Sequence, residues 1–578
     1  MKQSPKSGET ASIVRVAVPA PLRGHFDYLS QIGQVGQNLP QPGCRVRVQF
    51  GRRKLVAVVT AVGGESALDR KRLRPISETL DNTPVLGEAL LELLDWAAGY
   101  YHHPIGEVYA TALPVLLRKG EAAERRPQQN WRLTPAGSEC EAQQFKRAPR
   151  QQQMWQALQQ QPDGIPIEVL RQTAGYSAAV MNRLESAGYA EQITVAGKTP
   201  SVSVKRMAAP KLNAEQAESV AALSADSGFQ CSLLEGITGS GKTEVYLALV
   251  EQALEAGKQV LILVPEIGLT PQLIARFSER LSTNLAVLHS GLNDRERLDA
   301  WLDARAGNAG VVLGTRSAVL TPLLRPGLII VDEEHDASYK QQDGLRYSAR
   351  DVAVRRAQLH DIPIILGSAT PALESLQNAL SGRYRHLRLH QRAGVAEKPS
   401  MRLLDLRSKQ LSEGLSPVLL SSVQTHLDAG GQVLLFLNRR GYAPALVCHD
   451  CGWIAPCRRC DTGMTLHRGG RALCCHHCGA QRPPPEVCEN CSGQELLAVG
   501  EGTERIAGAL RGLFPGVPMA RFDRDTLTRK GSLEERLQQV REGKVKLLVG
   551  TQMLAKGHDF PNLSLVGVVN ADHGLFSA

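Results

Sequence analysis

Eight cysteines in four Cys-x-x-Cys pairs form the densest group of metal-binding side chains in the sequence. They are Cys448, Cys451, Cys457, Cys460, Cys475, Cys478, Cys488 and Cys491. Four thiolates make a closed tetrahedral site of the kind that holds structural zinc, so the eight residues predict two Zn²⁺ ions. Clustering of this kind in a long chain without a secretion signal favours metal over disulfides. An iron–sulfur or redox role suits paired knuckles less well.

The spacing of these cysteines leaves the grouping of the four pairs open, with three ways of combining them into two sites. Cys475 is preferred to Cys474, because only Cys475 is separated from Cys478 by two residues. The neighbouring His449, His476 and His477 are competing ligands, but four thiolate pairs complete the coordination of two ions without them.

A glycine-rich loop earlier in the chain predicts a phosphate-binding site. The segment GITGSGKT follows the apolar run CSLLEG and precedes the helical pattern EVYLALVEQALEAG. In that context glycines let backbone N–H groups surround phosphates at a helix N-terminus, while Lys242 reaches the terminal phosphates and Thr243 ligates Mg²⁺. The predicted cofactors are ATP and Mg²⁺, and the loop residues are Gly236, Ile237, Thr238, Gly239, Ser240, Gly241, Lys242 and Thr243.

In LIIVDEEH, roughly ninety residues after the loop, Asp332 and Glu333 lie just past a strand-like apolar run. Magnesium held by phosphates needs a carboxylate nearby, and we assign this role to Asp332. Glu333 is then placed to orient or deprotonate the attacking water.

The elements that carry these residues follow the pattern of a parallel sheet. Helical stretches alternate from about residue 206 with apolar strand-like runs, as in sheets covered on both faces. These runs are SLLEG, QVLILVP, GVVLGT, LIIVD and IPIILGS. A second, shorter series of such runs is split by the cysteine-rich segment. Before them lies a β-rich stretch punctuated by Gly and Pro. Short helical patterns around Met154, Val169 and Leu184 then fit a winged-helix module, although any small helical domain would show the same spacing.

Composition and charge narrow the class of protein and the kind of binding partner. The chain has 578 residues, of which 43% are hydrophobic and 21% charged, a composition that favours neither a disordered nor a fibrous protein. Its apolar runs are shorter than the roughly 18 residues needed to cross a bilayer, so we expect a cytoplasmic protein without a membrane partner. The net charge of +10 alone fits a mildly basic soluble protein as well as one with a polyanionic partner. Its spread over clusters such as GRRK, RKRLRP and CRRC favours a surface that binds nucleic acid.

The order of the motifs resembles that of the superfamily 2 helicases. GSGKTEVY, VPEIGLTPQ, DEEHDASYKQQ, GSATPALES, FLNRRGYAP and LVGTQMLAKGHDFP occur in this order. With the four cysteine pairs, they are most similar to the primosomal replication-restart helicases of bacteria, from near Val14 to the last residue. The resemblance implies an ATP-driven 3′→5′ motor on forked and single-stranded DNA. It also implies primosome proteins and the single-stranded-DNA-binding protein as partners, and we expect a monomer.

The resemblance also implies roles for particular residues of the motor. Asp332 to His335 form the hydrolysis box, and Gln216 is the adenine-reading glutamine ahead of the phosphate loop. Ser368 and Thr370 match the element that couples hydrolysis to the grip on DNA.

Further residues are assigned to DNA by the same resemblance. Tyr339 and Tyr347 lie in a loop that senses single strands and are expected to stack on bases, at about 1–3 kcal/mol each. Ordinary packing beside the active site is the alternative, and Leu345 stands where an aromatic residue is expected. In the β-rich module, Phe26 is expected to stack on the base of a 3′-terminal nucleotide and Asp27 to accept a hydrogen bond from its 3′-OH.

The predicted fold class is a multidomain α/β protein with two RecA-like parallel-sheet motor lobes and a Cys-rich zinc insert in the second lobe. We expect a nested cysteine grouping, as the resemblance implies, with Cys448, Cys451, Cys488 and Cys491 outside and Cys457, Cys460, Cys475 and Cys478 inside. The predicted domains are 1–115, a β-rich module binding DNA 3′ ends; 116–205, winged-helix-like; 206–395, first lobe; 396–447 and 499–578, second lobe; and 448–498, double zinc insert.

Helicases of this class also place an arginine of the second lobe against the terminal phosphate, in a motif like Q-x-x-G-R-x-x-R. The segment between Gly557 and Ala578 contains no arginine. Such a residue typically contributes about 10³- to 10⁵-fold in rate, so we expect a fragment or a truncated product that binds ATP but hydrolyses it poorly. Two competing functions therefore stay open: a non-catalytic, zinc-containing scaffold that binds forks, and a translocase on duplex DNA.

Overall fold

The structure, a computed structural model, divides into two compact units. Met1–Glu266 with Phe277–Gly394 form the first unit, and Ile267–Arg276 with Val395–Ala578 the second. Within the described part of the chain, no helix combines the length and apolarity that a membrane span requires. The structure describes residues 11–30, 39–125, 128–145, 148–162, 164–167, 170, 176–195, 210–225, 228–265, 271–393, 399–407, 411, 415–437, 445–460, 463–467, 472–475, 478, 480–499, 503–522, 532–550, 560–569 and 571.

A curled antiparallel sheet opens the first unit. Its strands are β1 (Ile13–Ala17), β2 (Phe26–Leu29), β3 (Arg45–Phe50), β4 (Arg53–Val62) and β5 (Glu78–Thr79), in the order β2-β1-β4-β3-β5. A bridge from Leu29 to Pro75 brings β2 against the segment that leads into β5, so the sheet wraps around its own valine-rich core. The helices α1 (Glu88–Tyr100), α2 (Ile105–Ala112) and α3 (Val115–Arg118) follow.

A small mixed module comes next. It contains β6 (Gln128–Leu133), α4 (Pro135–Ser138), α5 (Pro149–Gln159), β7 (Ile165–Pro166), α6 (Ala178–Ser186) and β8 (Ala190–Val195). The strands pair antiparallel in the order β7-β6-β8. Met154 and Leu184 lie in its core, as their helical patterns predict, whereas Val169 lies outside the described residues.

A seven-stranded parallel sheet completes the first unit and has the RecA-like architecture predicted for a motor lobe. Its strands run in the order β11-β12-β10-β13-β14-β9-β15. The elements are α7 (Ala214–Ser224), β9 (Cys231–Gly236), α8 (Lys242–Glu255), β10 (Gln259–Leu263), α9 (Pro271–Arg280), β11 (Asn284–Leu288), α10 (Asp294–Ala306), β12 (Ala309–Gly314), β13 (Pro326–Val331), α11 (Ala349–His360), β14 (Ile364–Ser368), α12 (Leu373–Leu380) and β15 (Arg385–Leu389).

The N-terminal helices pack directly on this lobe. Side chains of α1 and α2 share one continuous core with those of α10 and α11. The indole N–H of Trp301 donates to the Ala112 carbonyl at 3.3 Å, and the Ser348 N–H donates to the Tyr101 hydroxyl at 3.1 Å. The β-rich module is therefore held against the lobe by shared apolar packing as well as hydrogen bonds.

The second unit contains a four-stranded parallel sheet in the order β22-β23-β16-β24 and a separate five-stranded sheet, β20-β19-β18-β17-β21. The second sheet is the cysteine-rich insert, which starts and ends on two paired antiparallel strands, β17 and β21. The elements are α13 (Pro417–Asp428), β16 (Gln432–Leu437), β17 (Ala445–Cys448), β18 (Thr465–His467), β19 (Ala472–Cys474), β20 (Gln481–Arg482), β21 (Leu496–Val499), α14 (Thr503–Leu513), β22 (Met519–Phe522), α15 (Ser532–Arg541), β23 (Leu547–Gly550) and β24 (Leu563–Val569).

Candidate nucleotide site and metal centres

The glycine-rich loop connects β9 to the first turn of α8, as the phosphate-loop pattern requires. Gly239 and Gly241 adopt φ values of 81° and 80°, a left-handed conformation that side chains other than glycine rarely adopt. Gly236 is also constrained, since a Cβ there would lie 2.5 Å from the Ser240 hydroxyl. The Lys242 ammonium group donates to the Gly236 carbonyl at 2.9 Å. The Lys242 side chain therefore folds back over the loop with which it is predicted to bind phosphates.

Asp332 lies at the carboxyl edge of the same parallel sheet, directly after β13. The hydroxyl of Tyr246, on α8, donates to Asp332 Oδ1 at 3.0 Å. Gly367 leaves room for this tyrosine, because a Cβ there would lie 1.6 Å from its hydroxyl oxygen. Burial, followed by the charge of Glu333, raises the pKa of Asp332 to about 6, and Lys242 counteracts that rise. Tyr246 thus joins Asp332 to the helix that begins with Lys242, so the two predicted phosphate-site residues lie at the same sheet edge.

Glu333 is held in a strained conformation next to His335. Its φ is 47°, an uncommon value for glutamate. One Glu333 carboxylate oxygen lies 3.5 Å from His335 Nδ1, which is 2.7 Å from the Ser368 hydroxyl. The Ser368 hydroxyl oxygen also accepts the Thr370 N–H at 3.0 Å. The acidic box and the GSAT segment therefore touch, although the predicted coupling between hydrolysis and DNA grip stays a prediction.

Glu334 is a structural anchor that the sequence analysis did not single out. The residue is 2% exposed. Its carboxylate accepts the Ala372 N–H at 2.7 Å, the Ser375 hydroxyl at 2.8 Å and Arg350 Nη1 at 3.2 Å. The two adjacent glutamates thus have different surroundings, with Glu333 partly exposed and Glu334 binding the segment after β14. Nothing in the letters DEEH distinguishes them.

Gln216 is buried and joins α7 to the phosphate loop. Its side-chain carbonyl accepts the Asn213 backbone N–H at 2.9 Å, and the Asn213 side-chain oxygen accepts the Gln216 backbone N–H at 2.9 Å. This pair of hydrogen bonds caps the start of α7. The Gln216 amide nitrogen donates to the Ser240 carbonyl at 2.9 Å. This amide carries a second N–H, so adenine reading by Gln216 stays a prediction. The observed contacts show that Gln216 positions the loop.

Tyr339 and Tyr347 lie in the hydrophobic core, and each is 2% exposed. The Tyr339 hydroxyl donates to the Asp332 carbonyl at 2.6 Å. Because stacking on a base requires an open ring face, the prediction that these tyrosines stack on DNA is wrong for this conformation. Leu345 packs in the same core at 5% exposure, so this position needs no aromatic ring. The alternative of packing beside the active site is confirmed.

The eight cysteines form two metal-binding clusters. In each cluster the four sulfur atoms lie within 4.8 Å of one another. Facing sulfurs are 3.4 Å apart for Cys460 and Cys475 and 3.6 Å apart for Cys451 and Cys488. A disulfide would need about 2.05 Å, whereas a tetrahedral ion with bonds of about 2.3 Å separates sulfurs by about 3.8 Å. The nested grouping is confirmed, with Cys448, Cys451, Cys488 and Cys491 in one cluster and Cys457, Cys460, Cys475 and Cys478 in the other.

Hydrogen bonds to sulfur support the metal-binding form of the cysteines. The Arg459 N–H donates to Cys457 Sγ at 3.4 Å, and the Asn490 side chain donates to Cys451 Sγ at 3.5 Å. The Asn490 contact, followed by the Trp453 backbone N–H, lowers the pKa of the Cys451 thiol to about 6, whereas burial raises the pKa of Cys448 in the same cluster. Cys474 lies on β19 and belongs to neither cluster, as predicted. His476 and His477 lie outside the described residues, and His449 is absent from both clusters.

Phe26 and Asp27 point to opposite faces of β2, as successive strand residues do. The Phe26 ring packs edge-on against Phe50, with 4.9 Å between ring centroids. Asp27 pairs with Arg15 across the sheet at 2.9 Å, and this hydrogen bond is the main cause that lowers the pKa of Asp27. The structure therefore places Asp27 with Arg15, a residue that the sequence analysis did not consider. Recognition of a 3′ end by Phe26 and Asp27 stays a prediction.

Three family models match parts of the chain. Residues 15–114 match a 3′DNA-binding domain, and residues 213–379 match the DEAD/DEAH box helicase model. Residues 457–483 match the Cys-rich region domain of PriA DNA helicase. The three matches fall on the curled sheet with its helices, on the seven-stranded lobe and on the inner cysteine cluster.

Curated proteins resemble the chain over nearly its whole length. It is 44% identical over 577 residues to "Replication restart protein PriA" of Haemophilus influenzae, a match covering 98% of this chain and 77% of that protein. It is 34% identical over 619 residues to "Replication restart protein PriA" of Bacillus subtilis, covering 95% and 76%. Among solved structures, RecG bound to a three-way DNA junction has 16% identity and a TM-score of 0.34, covering 63% of this chain and 44% of RecG. A TM-score at that level carries no inference.

Proposed function

Because the chain belongs to the PriA family of replication restart proteins, we propose that it is an ATP-dependent DNA helicase that moves 3′→5′ and opens abandoned replication forks. Primosome assembly begins at the forks that it opens. The observation that carries this proposal is that Tyr246, on the helix that begins with Lys242, donates to Asp332 at 3.0 Å at one edge of a parallel sheet. A phosphate-binding loop and a carboxylate in this arrangement are what hydrolysis of a nucleoside triphosphate requires.

Each residue of the site has a proposed role in hydrolysis. Backbone N–H groups of the loop and Lys242 bind the phosphates, and Thr243 and Asp332 supply oxygen ligands of the type that Mg²⁺ prefers. Bound Mg²⁺ neutralises phosphate charge. Glu333 accepts the proton of the attacking water, since it is the partly exposed glutamate of the pair. His335 and Ser368 transmit the state of the nucleotide toward the DNA-binding side of the lobe.

The cysteine clusters are proposed to hold two Zn²⁺ ions. Each ion completes the fold of an insert that has only a small core of its own. Basic side chains such as Arg458 and Arg459 are carried on this insert, which suits a wedge at the strand junction or a dock for partner proteins. Forked and single-stranded DNA, primosome proteins and the single-stranded-DNA-binding protein are the proposed partners of a cytoplasmic monomer.

Steady-state kinetics and unwinding assays test this proposal on the purified chain. We expect slow ATP hydrolysis, as the sequence analysis predicts, that single-stranded DNA stimulates, together with strand separation of a forked substrate. Fork binding without stimulated hydrolysis would favour the non-catalytic scaffold, and stimulated hydrolysis without strand separation would favour a duplex translocase. The family membership favours neither alternative.

Replacing Asp27 with alanine should abolish the preference for forks that carry a free 3′ end on the leading strand. The carboxylate is the proposed acceptor for the terminal 3′-OH, and the hydrogen bond from Arg15 lowers its pKa further from neutral pH. Binding of forks with and without the 3′ end, measured by fluorescence anisotropy, gives the preference as a ratio of Kd values.

The control for this experiment is Arg15→Ala, which breaks the same ion pair while leaving the carboxylate in place. We expect Arg15→Ala to weaken binding to both forks while retaining a preference between them. An Asp27→Ala protein that still discriminates between the forks would remove Asp27 from 3′-end recognition.

A further inference from the structure

The segment Leu389–Ala393, which follows β15, runs alongside the phosphate loop. At its start, the Leu389 carbonyl accepts the Ile237 N–H at 3.3 Å. At its end, the Ala393 N–H donates to the Gly239 carbonyl at 2.8 Å. Backbone bonds at both ends therefore hold this segment against the loop.

A carboxylate from α7 fastens the middle of the segment. One oxygen of Glu215 accepts the N–H groups of His390 at 2.8 Å and Gln391 at 3.0 Å. The next residue, Gln216, binds the Ser240 carbonyl of the phosphate loop. The start of α7, the phosphate loop and the segment Leu389–Ala393 thus form one connected structure.

The strand order shows which part of a nucleotide this segment would face. Lys242 and Asp332 mark the end of the site that takes the terminal phosphate and the metal. Asp332 follows β13, and the order β13-β14-β9-β15 places β15 on the other side of β9. The segment after β15 therefore borders the loop on the side away from Asp332, where the phosphate chain leads toward the nucleoside.

Arg392 is the residue of this segment with unused binding capacity. The residue is partly buried, and its Nε is a buried donor without a hydrogen-bond partner among the described residues. Buried donors are normally paired in folded proteins. A guanidinium group can donate to a phosphate and can also lie flat against a base.

We infer that Arg392 binds the adenosine 5′-phosphate portion of the nucleotide, the part that ATP and ADP share. The inference rests on the proposed function, because it names a further contact within the same nucleotide site. Glu215 acts as a positioning residue, since it holds the backbone of the two residues before Arg392.

Isothermal titration of the whole chain with ATP and with ADP tests this assignment. Arg392→Ala should weaken the binding of both nucleotides by a similar factor, about tenfold, because the contact does not involve the terminal phosphate. The matched control is Arg388→Ala on β15 itself, where Arg388 is exposed and pairs with Glu235 at 3.2 Å. This variant should bind both nucleotides as the wild type does.

Two results would overturn the inference alone: wild-type affinity in Arg392→Ala, or a loss confined to ATP. If the wild-type chain bound neither nucleotide, the proposed function would fail as well, so the two failures are distinguishable. Arg392→Gln serves in the same comparison if the alanine variant does not fold, as judged by its thermal melting.

Discussion

A Glu333→Gln protein will bind ATP but turn it over about 10²- to 10⁴-fold more slowly in the presence of single-stranded DNA. The substitution removes the proton acceptor and keeps the size and shape of the side chain. Because Glu333 is partly exposed and its closest ionic contact is His335 at 3.5 Å, we expect its thermal stability to be unchanged. Phosphate release and melting temperature, measured on the same preparation, give the two quantities.

The adjacent Glu334 provides the matched control, with the opposite pattern of effects. Its buried carboxylate accepts three hydrogen bonds, two from the segment after β14 and one from Arg350 on α11. Glu334→Gln removes the charge and part of this acceptor capacity, at a cost of about 1–3 kcal/mol in the free energy of unfolding. A lower melting temperature is therefore expected for Glu334→Gln alone. Wild-type turnover in Glu333→Gln would show that another group accepts the proton.

Replacing both Cys448 and Cys451 with serine should halve the zinc content of the chain, from two ions to one. A structural zinc site contributes about 10–16 kcal/mol of folding free energy, so the outer cluster and its paired strands should lose their structure. We expect fork unwinding to fall far more than DNA-stimulated ATP hydrolysis, because the phosphate loop and Asp332 lie in the other unit. Atomic emission spectroscopy gives the zinc content.

Cys474→Ser is the control for the loss of a thiol from this region. Cys474 belongs to neither cluster, so the variant should keep both ions and full unwinding. Equal losses of hydrolysis and unwinding in the double serine variant would mean that the metal only holds the second lobe together. An unchanged zinc content would contradict the assignment of the outer cluster.

Much of the motor lobe could be predicted from the sequence because its central strands are continuous apolar runs. The patterns around β9, β10, β12, β13 and β14 indicate buried parallel strands, and each is present. Two strands were missed, β11 and β15, which lie at the two ends of the sheet. The β15 sequence RHLRL alternates charged and apolar residues, as edge strands do, and so lacks the signal that identifies the centre.

The chemistry of the site was predictable where it depends on local geometry. A phosphate loop is made by consecutive residues, and the two-residue gap in each cysteine pair places both thiolates on one ion. The sequence could not show which of two adjacent glutamates is buried, or that Tyr339 and Tyr347 lie in the core. Those properties depend on packing between elements distant in the chain, as does the position of Leu389–Ala393 beside the phosphate loop.

The pairing of β17 with β21 has a consequence for how this protein could change over time. Ala445 lies opposite Val499, and Cys448 lies opposite Leu496, so the first and last strands of the insert lie side by side. A change in the length or sequence of the residues between β17 and β21 leaves the hydrogen-bonding partners of β16, β23 and β24 the same. Descendants of this chain can therefore change the length or sequence of the cysteine-rich insert while keeping the strand pairing of the four-stranded parallel sheet.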